Sequence, residues 1–227
     1  MVKLSERLSM VASMVRPGKP LADIGTDHAY LPVSLILSGT IPSAFCADIN
    51  RGPLERAKIN VDENGISDKV TLTLSNGFEK FEPGFCHDFV IAGMGGNLIS
   101  DILAAAPWLQ DTENHFVLQP MTHAEDLREH LYRNGYRIIR ESLCEEPGHL
   151  YHALEVDYTG EKKDFTISDC YIGELAKSED PLKDKFFENV LSRLNRRRDA
   201  LLKYEGASDE CEMLTEVISS VKECISK

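Results

Sequence analysis

The sequence predicts an α/β protein, a mostly parallel sheet covered by helices on both faces, followed by an α-helical hairpin. Three observations carry this. Short apolar runs alternate with helix-patterned segments from Pro20 to Asn134. Two further strand-like runs flank Pro147-Gly148 and read as an antiparallel pair. Past Thr159-Gly160-Glu161-Lys162-Lys163-Asp164 the strand-like runs stop, and apolar residues recur at helical spacing. The domain boundary therefore falls near residue 160, giving units of 1–160 and 161–227.

The elements follow in order. Leu4, Leu8, Val11 and Val15 form one apolar helix face, ended by Arg16-Pro17-Gly18. Pro20 to Gly25 is a strand stopping at a glycine, and a helix runs through Tyr30 to Leu37. Ser43 to Asp48 is the second strand, and Pro53 to Asn64 a helix with Leu54, Ala57 and Val61 inward. Val70 to Leu74 and Asp88 to Ala92 are the third and fourth strands. A helix from Gly96 to Ala106 follows, then a strand at His115 to Gln119 and a helix across Ala124 to Asn134. Arg137 to Cys144 and Leu150 to Tyr158 form the hairpin. The core strands are continuously apolar because parallel strands are buried on both faces. From Pro181 to Tyr204 apolar residues repeat at helical spacing, with Leu191, Leu194, Leu201 and Leu202 on the packed side. Glu205-Gly206-Ala207-Ser208 breaks the pattern and Met213 to Ile225 resumes it, as in an antiparallel helical hairpin.

Composition narrows the function classes. The chain has 227 residues, 42% hydrophobic and 27% charged, which excludes collagen-like and wholly disordered classes. No apolar run approaches the roughly 18 residues of a membrane helix, and the N-terminus lacks the apolar stretch of a secretory signal. A cytoplasmic protein is expected. Six scattered cysteines with no C-x-x-C pair point to reduced thiols, and no histidine has metal-ligand spacing. A net charge of −12 argues against a uniformly basic surface but leaves room for a local basic stripe.

The chemistry-bearing segments sit at strand ends. Asp23-Ile24-Gly25-Thr26-Asp27-His28-Ala29-Tyr30-Leu31-Pro32 spans a strand-to-helix turn, where a glycine admits close ligand approach and the helix start offers free N–H groups. A dinucleotide-binding loop places a second glycine where this sequence has Asp27. That carboxylate disfavours a pyrophosphate and favours a cationic ligand, so S-adenosylmethionine (SAM) fits better than NAD. The bland alternative makes Gly25 a turn glycine and Asp27 a helix cap. Asp48 ends the second strand, where an acid accepts hydrogen bonds from a ribose diol. Asn76-Gly77, followed by Phe78, offers an adenine-edge contact and a flanking ring, or simply an N-G turn. Ala92-Gly93-Met94-Gly95-Gly96 brings backbone close to a ligand's reactive end, and Gln119-Pro120 lies beside it in the expected strand order.

Together with Leu8, these motifs make the chain resemble the bacterial TrmK family over nearly its whole length. Members of that family are SAM-dependent methyltransferases that modify N1 of adenine 22 in tRNA. The resemblance implies a class I (Rossmann-like) methyltransferase domain over residues 1–160 and a tRNA-contacting, coiled-coil-like hairpin over 161–227. It implies a SAM site built from Arg7, Asp23, Gly25, Asp27, His28, Tyr30, Asp48, Ile49, Asn76, Gly77, Ala92, Gly93 and Met94. Asp27 and His28 are expected to shape the methyl end. Gly95, Gly96, Gln119 and Pro120 are expected to line the adenine slot.

Adenine N1 already carries a lone pair, so attack on a sulfonium methyl needs positioning rather than a base. The buried Watson–Crick edge must be exposed by flipping or local unfolding of the target base, with Tyr30 or Phe78 as aromatic platform or as plain core. Arg193, Arg196, Arg197 and Arg198 cluster on one helix, with 193, 196 and 197 on a shared face. They read as a phosphate-contacting stripe or as an ordinary solvated face. A monomer is expected, with dimerisation through the hairpin as the alternative. Competing functions are a methyltransferase for another RNA site or a small molecule, and a non-catalytic nucleotide-binding interaction protein.

Overall fold

The computed structural model describes residues 3–204 and 209–225. The chain opens with α1 (Glu6–Ala12), β1 (Leu21–Ile24), α2 (Tyr30–Leu37), β2 (Ala44–Asp48), α3 (Arg51–Glu63), β3 (Val70–Leu74) and β4 (Asp88–Gly95). The remainder comprises α4 (Gly96–Ala104), β5 (His115–Thr122), α5 (Ala124–Arg133), β6 (Tyr136–Glu146) and β7 (His149–Tyr158). Seven strands lie in the order β3-β2-β1-β4-β5-β7-β6. β1 to β5 pair in parallel, and β7 runs antiparallel to both β5 and β6. The strand order reverses between β1 and β4, which opens a crevice at the strands' carboxyl ends.

The continuously apolar strands divide their residues between two cores by the two-residue period of a strand. Ala22, Ile24, Phe89, Ile91, Phe116 and Leu118 face one core, beneath α4 and α5. Leu21, Cys46, Val90 and Val117 face the other, beneath α1 to α3. β3 joins β4 without a regular helix. The connection instead carries Phe78, Phe81 and Phe85 into an aromatic cluster with Phe89 and Trp108. Phe78 is buried there, which removes it as a platform for a flipped base.

Two segments differ from expectation at their ends. β4 does not stop at Ala92: it continues through the glycine-rich stretch to Gly95, pairing with β5 through register shifts, Met94 with Pro120 and Gly95 with Thr122. Helical structure past residue 160 also begins before Pro181, where the periodicity starts, with α6 (Ile167–Ile172) and a 3₁₀ turn over Gly173–Lys177. α6 is started by a reciprocal cap between Thr166 and Asp169.

α7 (Lys183–Tyr204) and α8 (Asp209–Glu223) pack antiparallel. Arg197 pairs with Glu210 near one end, while Lys183 lies near Cys224 at the other. The expected turn at residues 205–208 lies outside the described residues. Phe187, Leu194, Leu214, Val217, Ile218 and Val221 form a third core that also takes in Leu143 of β6, so the hairpin docks on the edge of the sheet. Leu202 is not on the packed side but exposed. At about 100° per residue it lies about 80° around α7 from Leu194, whereas Leu201 is nearly in line.

Candidate functional site

Asp23, near the end of β1, is the electrostatic centre of the crevice. Its side chain is buried, and burial pushes the carboxyl up to about 6, with the nearby Asp48 adding to the rise and the Thr26 hydroxyl opposing it. Among the described residues no basic side chain pairs with it. A buried acid so placed gains most from a cationic ligand.

The turn after β1 surrounds this acid. Gly25 has φ +82°, and a Cβ there would lie 1.9 Å from the Met94 methyl, so both the backbone conformation and the close approach of β4 require glycine. α2 begins not on Asp27 but on Ala29, itself in the left-handed region with φ 53°. The cap alternative for Asp27 is thereby corrected. Its exposed carboxylate pairs with Arg56 of α3 at 2.5 Å and lies 3.5 Å from His28 Nε2. His28 stacks on Tyr30, with ring centroids 4.9 Å apart, and Asn60 donates to the His28 carbonyl at 2.8 Å.

Nothing in the sequence singles out Arg56 and Asn60, because outward polar residues on α3 look like any solvated helix face. Asp48 accepts from the Asn50 amide at 2.6 Å, which fixes its side chain at the end of β2. Ile49 beside it is exposed.

β4 and β5 supply the opposite wall. The Gln119 side chain is fully buried and its oxygen accepts from Arg7 Nη1 at 2.9 Å and from the Gly93 amide at 3.1 Å. Its nitrogen donates to the Pro120 carbonyl at 3.1 Å. Gln119 therefore holds Gly93 and Arg7 in place rather than facing substrate.

A cavity of about 390 Å³ results, walled by Arg7, Asp23, Gly25, Asp27, Tyr30 and Gly93, with His28 and Ala92 also contributing. A second groove, of about 460 Å³, runs past Asn76, Gly77, Leu98, Asp101 and Trp108. Gly77 is left-handed, and a Cβ there would sit 3.2 Å from Ile102.

Not all the expected residues share this wall. A Cβ on Gly96 would meet the His123 carbonyl oxygen at 2.1 Å, and one on Gly95 the Thr122 hydroxyl at 3.2 Å. Close packing of α4 on the turn after β5 accounts for both glycines. Pro120 lies on a different cleft of about 260 Å³, between the sheet and α7, together with Met121, Tyr151, Phe186 and Arg193. Arg193 bridges to Glu125 of α5 at 3.0 Å, Arg197 pairs with Glu210 and Arg198 with Asp199. Arg196 has no carboxylate partner among the described residues and donates to the Ser192 carbonyl. Acids thus offset much of the arginine stripe.

The methyltransferase-domain family model matches residues 4–154. A Streptococcus pneumoniae protein, proposed as a tRNA (m1A22) methyltransferase and solved in complex with S-adenosyl-L-methionine, is 32% identical. It superposes with a TM-score of 0.85 over 99% of this chain and 100% of that one. The chain belongs to the TrmK family. The Bacillus subtilis m1A22 tRNA methyltransferase TrmK structure agrees, with 29% identity, TM-score 0.87 and complete coverage of both chains. The curated Bacillus subtilis (strain 168) tRNA (adenine(22)-N(1))-methyltransferase is 38% identical over 153 residues, covering 67% of this chain and 64% of that relative. The chain thus matches somewhat less than two thirds of that curated sequence.

The TrmK-type cofactor, SAM, fits the residues present. The buried Asp23, unpaired among the described residues, suits an ammonium, Arg7 a carboxylate, Asp48 a ribose diol, and the groove past Asn76-Gly77 a flat base. Among the described residues no helix is long and apolar enough to cross a membrane.

Proposed function

We propose that the protein transfers a methyl group from SAM to N1 of adenine 22 in tRNA. The observation that carries this reading is the buried Asp23 carboxyl, without a basic partner among the described residues, flanked by left-handed Gly25 and Gly93 at the sheet's switch point. A cationic amino-acid ligand resolves that burial, whereas a pyrophosphate would meet two acids, Asp23 and Asp27.

When bound, SAM supplies an electrophilic methyl on a sulfonium that leaves as a neutral thioether. The protein's own residues then have four tasks. Asp23 and Arg7 hold the two charged ends of the amino-acid moiety. Asp48, with Ile49 beside it, holds the ribose. Asn76, Gly77 and the adjoining groove take the adenine ring. Asp27, His28 and Tyr30, braced by Arg56, shape the methyl end, while Gly93 and Met94 close the wall opposite.

No general base is required, because adenine N1 attacks with its own lone pair. The rate gain comes from alignment and from stabilising the cationic product. The acidic neighbourhood of Asp23 and Asp27 suits a product that gains positive charge. The C-terminal unit from residue 161 is assigned to tRNA, with Arg193, Arg196 and Arg197 contacting phosphates. The protein is proposed to work as a cytoplasmic monomer.

The test is incubation of purified protein with labelled SAM and unmodified tRNA, followed by nucleoside mass spectrometry. N1-methyladenosine is expected at position 22, and Asp48→Ala is expected to reduce it at least a hundredfold. A product at another position or on another base, or none, refutes the assignment.

A further inference from the structure

The cleft between the sheet and α7 has a polar floor that methyl-donor binding does not use. Its walls include Met121, His123, Tyr151, Phe186 and Arg193, and His152 lies beneath them with its side chain 5% exposed. The cleft adjoins the donor cavity: the Arg7 guanidinium, in the cavity wall, sits 5.8 Å from the Tyr151 ring centre.

His152 belongs to a buried triad. Its Nε2 lies 2.9 Å from Glu141 Oε2, and Glu141 also takes the Nε and Nη2 donors of Arg128 at 3.0 and 2.5 Å and the Glu174 amide at 2.9 Å. Arg128 donates in turn to the Cys170 carbonyl at 2.9 Å. Gly173 completes the packing, since a Cβ there would lie 2.2 Å from the Glu141 carboxylate.

Burial works to raise the Glu141 carboxyl, but the Arg128 charge and the His152 and Arg128 hydrogen bonds outweigh it and hold the group well below the usual carboxylate range. Burial lowers the His152 imidazolium, leaving the ring neutral. A carboxylate only accepts, so Nε2 carries the proton and donates to Glu141. The contact of Arg128 Nη2 with Nε2, at 3.2 Å, then joins two donors and is not a hydrogen bond. Nδ1 is left as a fixed acceptor, with no partner among the described residues.

We propose that His152 Nδ1 accepts a hydrogen bond from the 6-amino group of the target adenine, making His152 the residue that selects adenine over guanine. This rests on the adenine-methylation reading above. The 6-amino group neighbours N1, so holding it fixes the direction of the attacking lone pair. The Phe186 ring, 5.5 Å from His152, flanks the same space. Guanine presents a carbonyl oxygen at position 6, and two acceptors would then face each other in a buried site. A site built to bond a substrate amine rejects analogues lacking it by far more than a shape mismatch does.

The experiment compares two tRNAs, one with adenosine and one with purine riboside at position 22; the latter keeps N1 but lacks the 6-amino group. Wild-type kcat/KM is expected to fall at least tenfold on the purine RNA. His152→Phe is expected to lose at least tenfold on the adenosine RNA and to leave both the purine-RNA rate and SAM affinity unchanged. His152→Leu, smaller than phenylalanine and with no acceptor, should behave alike and replaces the phenylalanine variant if that one fails to fold. Equal losses on both RNAs, or a wild type that treats them alike, overturn the role of His152. No transfer to the adenosine RNA by the wild type overturns the underlying function instead.

Discussion

Asp23→Asn separates stability from binding. Raising this carboxyl from 3.8 to about 6 makes ionisation cost the folded protein about 3 kcal/mol, at about 1.4 kcal/mol per pH unit. The folded state holds the proton more tightly than the unfolded chain. The penalty is therefore absent below pH 4, grows between pH 4 and 6, and is complete above that window. An uncharged isostere avoids it. Without SAM, Asp23→Asn should be more stable than wild type at pH 7.5 by up to about 3 kcal/mol, and the two should converge towards pH 4. With SAM the order reverses, because the variant no longer offers a carboxylate to the ammonium. For the same reason wild-type affinity for SAM should fall as pH drops through about 6. Urea titrations from pH 4.5 to 8, with and without SAM, measure all of this. A variant less stable than wild type at pH 7.5 without ligand, or a difference that does not change with pH, refutes the reasoning.

Three further outcomes are expected. Gly96→Ala drives a methyl into the His123 carbonyl and should destabilise by about 1–3 kcal/mol, read as a Tm several degrees lower; an unchanged Tm would show that the contact relaxes freely. Arg7→Ala frees Gln119 and opens the Gly93 wall, and should raise the KM for SAM about tenfold, as loss of a charged hydrogen bond predicts, while stability changes little. Exchanging Arg196, Arg197 and Arg198 for glutamate should weaken tRNA binding at least tenfold and flatten its salt dependence; anisotropy titrations that show neither would take α7 out of the RNA interface.

The sheet was readable because the central strands β1, β4 and β5 are short runs buried on both faces, and the donor-site residues were readable because strand ends gather at one edge. What escaped depended on contacts distant in sequence. Asp27 stood out as an acid at the turn, but its partner Arg56, 29 residues later, did not. Gln119 looked like a substrate contact, but Arg7, 112 residues earlier, occupies its oxygen. The Gly95-Gly96 pair suggested ligand approach, whereas the neighbour that needs the space is the protein's own His123 carbonyl. The triad of Arg128, Glu141 and His152 gave no signal, since each of these buried residues alone looks like a solvent-facing side chain.

The placement of Arg7 bears on where the reading frame is opened. A chain initiated at the internal Met10 would keep all seven strands but lose most of α1, with Leu4 and Leu8 that pack on the second core, together with the guanidinium that steadies both Gln119 and the adjoining wall. Such a product would be less stable and would also handle its methyl donor poorly, so the choice of start codon in any recombinant version decides what an assay reports.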